Sequence, residues 1–178
     1  MSRSVVPVII RPHLVPFFLK EFEGTEALYL NKRVKAAKIS TSKPLGKFIR
    51  LLIEKTALPE HVDKFHMYLS IQDREGSPEF FGQIYKCANG TNSFLKLPEA
   101  GATLINDHLE DIFRTSMIYY VQGHIKYNPR AQITQAIDYF LIEYDLYECG
   151  FGIETLRRYY YRVMNEHFLL KRLQGAGR

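Results

Sequence analysis

Residues 144–172 read YDLYECGFGIETLRRYYYRVMNEHFLLKR. The stretch carries the end of one helix, a turn containing Gly150 and Gly152, and a second helix predicted over 153–172. On a 3.6-residue period Arg157, Arg158, Tyr161 and Arg162 share one face, and Leu156, Tyr160, Val163, Met164 and His167 occupy the other. One face is built to bury. The other is cationic and aromatic, which suits an anionic partner such as nucleic acid. Working outward, residues 131–146 form a helix with Ile133, Ile137, Phe140, Leu141 and Tyr144 inward. Residues 103–121 form a long one with a stripe of Ile105, Leu109, Ile112, Phe113, Met117 and Tyr120. Gly123 is expected to end or loosen that helix, and Asn128-Pro129 to begin the next element. The second half is thus a three-helix module over 99–178 with short connections.

Within this frame, residues 144–163 resemble the helix-turn-helix of DNA-binding proteins. Gly150 falls at the turn glycine, Phe151 at the apolar residue after it, and Leu156 and Tyr159 at the apolar positions of the second helix, with the small Cys149 before the glycine. The chain departs from the pattern at Asp145 and Leu146, where an apolar and a small residue belong, and Gly152 allows a longer turn than the tight form. The resemblance implies that Thr155, Arg157, Arg158, Tyr161 and Arg162 face a DNA groove. The plain alternative is a helix packed on a core with its arginines solvated.

The first half has a different period. Residues 5–11 read as an edge strand or extended arm because Pro7 removes a ladder donor. A second extended run is expected over 17–22. Two short strands at 27–30 and 34–39 are joined by a turn at Asn31-Lys32. Residues 44–55 are a clear helix: Leu45, Phe48, Ile49, Leu52 and Ile53 make its stripe, Ser42 is a candidate cap, and Pro44 suits the first turn. Lys43, Lys47 and Arg50 recur on its other face, as auxiliary phosphate contacts or simply as a solvated side. Residues 65–72 alternate as a strand, and 80–88 with 93–97 form a hairpin turning at Asn89-Gly90. The reading is α+β: a small sheet with one helix over 1–98, then the helical module.

Net charge is +5, but it is segregated: +7 in residues 1–55, −7 in 56–154 and +5 in 155–178. The basic ends either face an anionic polymer together or satisfy the acidic middle, within the chain or between copies. Cys87 and Cys149 belong to no CxxC pair; in a chain able to build its own core they are expected as reduced thiols, in a cytoplasm. No apolar run approaches the roughly 20 residues of a membrane span, so no membrane partner is expected.

Chemistry is sparsely marked. A tyrosine nucleophile would want arginines on the scissile phosphate and a proton-transferring His or Lys; RRYYYR comes without His-x-x-Arg or a paired-histidine metal motif. The six histidines have no ligand spacing, and GxxxxGK[ST] and GxGxxG are absent. Asp107 and Asp111, at i, i+4, could share a cation but more simply are solvated. No cofactor and no catalytic residue is assigned. The expectation is a non-enzymatic nucleic-acid-binding protein, DNA favoured over RNA, in the style of small proteins from phages or mobile elements. The rival is an assembly protein in which Tyr159 and Tyr161 anchor a contact between copies.

Overall fold

The computed structural model describes residues 3–56, 58–62, 66–72 and 94–165. The chain forms two compact units, Met1–His108 and Leu109–Arg178, and the α+β organisation expected from the sequence holds.

The first unit is built on a mixed sheet. Strands β1 (Arg3–Ile9), β2 (Gly24–Tyr29), β3 (Lys32–Ile39) and β5 (His66–Gln72) lie in the order β1-β5-β3-β2. β1 and β5 are antiparallel, with Val6 opposite Leu69 and Val8 opposite Met67. β3 and β5 are parallel. The connection between them carries helix α2 (Pro44–Leu52) and the short strand β4 (Glu54–Thr56), as a parallel pair requires. Pro7 sits in β1, at an end of the strand order, where a missing N–H costs least. Val6, Val8, Ala36, Ala37, Ile39, Met67, Leu69 and Ile71 are buried.

Residues 17–22 are not extended. They belong to helix α1 (Leu14–Glu21), whose buried Leu14, Phe17 and Phe18 stand at i, i+3 and i+4. Pro16 is tolerated because it falls in the first turn, where N–H groups have no intrahelical acceptor. The first half therefore carries a second helix beside α2. The β2–β3 connection turns at Leu30-Asn31, one residue earlier than expected; both residues have positive φ, 48° and 64°, between the paired Tyr29 and Lys32. In α2, Pro44 opens the helix as expected, but the N-cap is Lys43 without a side-chain cap, and the Ser42 hydroxyl instead bonds that of Ser40 at 2.8 Å. Gly46 packs against the loop before α2: a Cβ there would stand 2.1 Å from the Ser40 carbonyl oxygen.

Strand β6 (Phe94–Lys96) pairs antiparallel with β4. The expected hairpin turn at Asn89-Gly90 and its 80–88 arm lie outside the described residues. Helix α3 (Glu99–Tyr127) begins in the first unit. There the Asn106 side chain donates to the Ile9 carbonyl and accepts from the Arg11 N–H, both at 2.8 Å. Arg11 also pairs with Asp107 at 2.6 Å, so that carboxylate answers an arginine rather than sharing a cation with Asp111.

The second unit comprises the rest of α3, α4 (Ile133–Glu143), a 3-10 turn at Tyr147–Cys149 and α5 (Ile153–Asn165). Gly123 does not end α3, which runs on to Tyr127. Its end is set by Pro129, which excludes the preceding residue from helical backbone. α4 stops at Glu143, short of the expected 146, where Asp145 takes a positive φ of 53°. This turn drops Leu146 into the core, where it is fully buried, as are Ile137, Phe140 and Leu141 of α4 and Phe113, Met117 and Val121 of α3. The continuation of α5 expected over 166–172 lies outside the described residues.

Candidate nucleic-acid interface

α5 divides as its sequence periodicity requires. Leu156, Tyr160 and Val163 are buried, while Thr155, Arg158, Tyr161 and Arg162 are exposed and Arg157 is half-buried. Burial, with Tyr161 beside it, raises the Tyr160 pKa, so this phenol stays neutral. Glu154 stands in the first turn, where a carboxylate suits the positive end of the helix dipole. It accepts from Arg157 Nη2 at 3.2 Å and from Arg158 Nε at 3.4 Å. Such one-turn surface pairs contribute only about 0.3–0.5 kcal/mol each. They orient the two guanidinium groups without withdrawing them from solvent; the Arg158 side chain remains 80% exposed.

Beside α5 a cleft of about 350 Å³ opens towards α3. Three arginines line it, Arg114 from α3 and Arg158 and Arg162 from α5, against one carboxylate, Glu110. The apolar part of the wall is Phe113, Phe151, Leu156 and Tyr159. Phe113 and Leu156 are buried, and the rings of Phe113 and Phe151 meet edge to face at 5.9 Å. The guanidinium carbons of Arg114 and Arg162 lie 5.0 and 5.4 Å from the Tyr159 ring centroid, within cation–π range.

Arg114 is fixed by a 2.6 Å bond from its Nε to Glu110. Burial works to lower its pKa, but the hydrogen bond and charge of Glu110, with Tyr159, outweigh that, and the net shift is upward. The guanidinium is held permanently charged in a partly desolvated wall. Glu110 is itself a buried carboxylate, which its arginine makes tolerable.

Of the residues singled out in the sequence, Thr155, Arg158 and Arg162 meet at the cleft. Arg157 and Tyr161 lie on α5 outside its lining. Lys43 and Lys47 are exposed and Arg50 is half-buried on α2, in the first unit. Sequence reasoning missed Arg114 and Glu110. Their i, i+4 spacing on α3 was the available signal, and it is shared by many surface pairs of no consequence. Cys149 forms no disulfide in the structure, and burial first, then Glu148, raises its thiol pKa. Among the described residues, no group of three His, Cys, Asp or Glu side chains could hold a metal ion, and no helix is long and apolar enough to cross a membrane. No protein-family model, curated protein or solved structure matches the chain.

Proposed function

We propose that the protein binds nucleic acid, DNA in preference to RNA, through the exposed face of α5, without a catalytic role. The observation that carries this reading is the row of Thr155, Arg158, Tyr161 and Arg162 along one solvent face, with Arg157 at its margin and Arg114 beside it. Guanidinium groups bind phosphate through paired N–H donors and stack on flat rings, and an adjacent exposed tyrosine adds a surface for sugar or base. Lys43, Lys47 and Arg50 are auxiliary phosphate contacts in this proposal. A cytoplasmic setting belongs to it too, and a Cys149 outside any disulfide is in keeping with it.

The test is binding to duplex DNA across a salt series, for the natural chain and for Arg157→Ala/Arg158→Ala/Arg162→Ala. Affinity should fall steeply with salt, since each neutralised phosphate releases condensed counterions. The triple variant should lose about 1–3 kcal/mol for any arginine that reads a base edge. Its log K against log salt slope should shrink by about one unit per phosphate contact removed. Leu156, Tyr160 and Val163 keep the helix packed, so the fold should survive. A folded variant that binds duplex DNA and RNA as poorly as the natural chain would sink the reading.

A second reading, self-association, is favoured by another surface. Tyr139, Ile142 and Tyr147 are large and exposed, amid Asp138, Glu143, Asp145 and Glu148. An acidic, tyrosine-rich patch on one copy complements an arginine-rich helix on another. Loss of self-association rather than of DNA binding in the triple variant would select it.

A further inference from the structure

We infer that the cleft between α3 and α5 is a pocket for a single nucleotide unit carrying a terminal phosphate, with Arg114, Arg158 and Arg162 on the phosphate and Phe151 and Tyr159 beside the base. The inference rests on the reading of α5 as a nucleic-acid face, and it adds a depth and a selectivity that an exposed helix lacks.

Three observations converge on it. The first is size. About 350 Å³ lies at the small end of the roughly 300–1,000 Å³ typical of ligand sites, enough for one small unit. Buried Phe113 and Leu156 are part of its lining, so a unit seated there meets apolar core as well as the arginines. The second is charge. Three arginines face one lining carboxylate, which is already committed to Arg114, and outside the lining Glu154 meets Arg158 only at 3.4 Å with that side chain 80% exposed, so the Arg158 guanidinium can turn to an anion. A phosphate within a strand carries a single negative charge, whereas a phosphomonoester carries about −1.5 to −2 near neutral pH and offers three acceptor oxygens. The cleft therefore suits a terminal phosphate better than one within a strand. Arg158 and Arg162 stand one helical turn apart on α5 and Arg114 comes from α3, so the donors reach an anion from two elements. The third is the aromatic wall. Phe151 and Tyr159 are half-buried and both line the cleft, and a nucleobase stacks on such rings whatever its identity; Arg114 and Arg162 already lie over the Tyr159 ring, so the base meets Phe151 and what those guanidinium groups leave of Tyr159. Glu110 and Arg114 hold one side of the wall in place before any ligand arrives, which lowers the entropy lost on binding.

The experiment measures, by calorimetry, adenosine 5′-monophosphate, adenosine, and one single-stranded oligonucleotide with and without a 5′-phosphate. The proteins are the natural chain, Arg162→Gln, Glu110→Gln/Arg114→Gln (which removes both members of the ion pair, so that no lone buried carboxylate unfolds the site), and Lys126→Gln as a distant control, all checked for folding by circular dichroism. The phosphorylated ligands should bind about tenfold or more tighter than their unphosphorylated partners, as charge-assisted hydrogen bonds require. Arg162→Gln and the double variant should erase most of that preference, and Lys126→Gln should leave it intact. Equal affinity for adenosine and its monophosphate, no measurable binding of any ligand, or folded cleft variants that keep the preference would each overturn the inference. Tighter binding of the phosphorylated strand than of the mononucleotide identifies a strand end as the source; equal binding identifies a free nucleotide. If duplex affinity depends on Arg157, Arg158 and Arg162 while no ligand prefers a terminal phosphate, the cleft fails and the α5 surface stands. If the mononucleotide binds but no polymer does, the cleft stands and the surface reading is withdrawn.

Discussion

Gly46 and Gly123 occupy helices of similar regularity, yet substitution should act on them in opposite directions. At Gly46 a methyl group would overlap the backbone of Ser40 and Thr41, which cannot swing aside as a side chain would. Gly46→Ala should destabilise by about 1–3 kcal/mol, the usual range for forcing extra volume into a packed contact. Gly123 lies inside α3 with nothing within 4 Å of a built Cβ. There alanine only removes backbone freedom from the unfolded chain, and Gly123→Ala should stabilise by about 0.5–1 kcal/mol. Urea denaturation of the two variants beside the natural chain checks both signs. At Cys149 burial, and then Glu148, raise the pKa, so the reactive thiolate forms at higher pH than on an ordinary thiol. Peptide-resolved alkylation should therefore show Cys149 reacting more slowly at pH 8 than in the unfolded chain, with its rate still climbing at pH values where an ordinary thiol has levelled off.

At the level of elements, the β2–β3 hairpin turns through a leucine with positive φ, a conformation costing an L-residue with a Cβ about 1–2 kcal/mol. Replacing Leu30-Asn31 by Asn-Gly, the pair that two-residue turns of this hand prefer, should raise the melting temperature; an unchanged or lower value would mean that the exposed Leu30 packs more usefully than its burial suggests. Helices with sustained apolar periodicity were legible in the sequence: α3, α4 and α5 appear where their stripes lie, and so does α2 except at its end, since it stops at Leu52 with Ile53 extended and residues 54–55, expected in the helix, belong to β4. α1 was not, because Pro12 and Pro16 suggest extended chain unless one sees that Pro16 can occupy a first helical turn. The end of α4 was hidden for another reason. Leu146 continues the apolar pattern of the helix, but it reaches the core through the bend at Asp145. The site shows the same division. The charges of α5 are consecutive in sequence and could be read directly. Arg114 joins them only through tertiary packing, some forty residues upstream, and no local pattern announces that.

Over the whole molecule, the two units differ in how far apart in sequence their partners stand. The second unit packs helices that follow one another. In the first, β2 and β3 are joined by a two-residue turn, whereas the β1–β5 ladder matches Arg3 with Gln72 and Ile9 with His66. Among the described strands, β5 alone pairs with both β1 and β3. The sheet therefore closes late. Until residues 66–72 arrive, β1 has no strand to pair with among the described ones and the β2–β3 hairpin has both outer edges open. Closing so long a loop delays β1 further, since chain entropy must be lost before those contacts reward it. Pulse-labelled hydrogen exchange during refolding should find the amides of β2 and β3 protected before those of β1. During synthesis β1 leaves the ribosome well before β5, and for that interval VVPVII is an open strand in search of an edge. Pro7, which deprives that strand of a donor, then serves a second purpose: it makes β1 a poor template for pairing with another nascent chain.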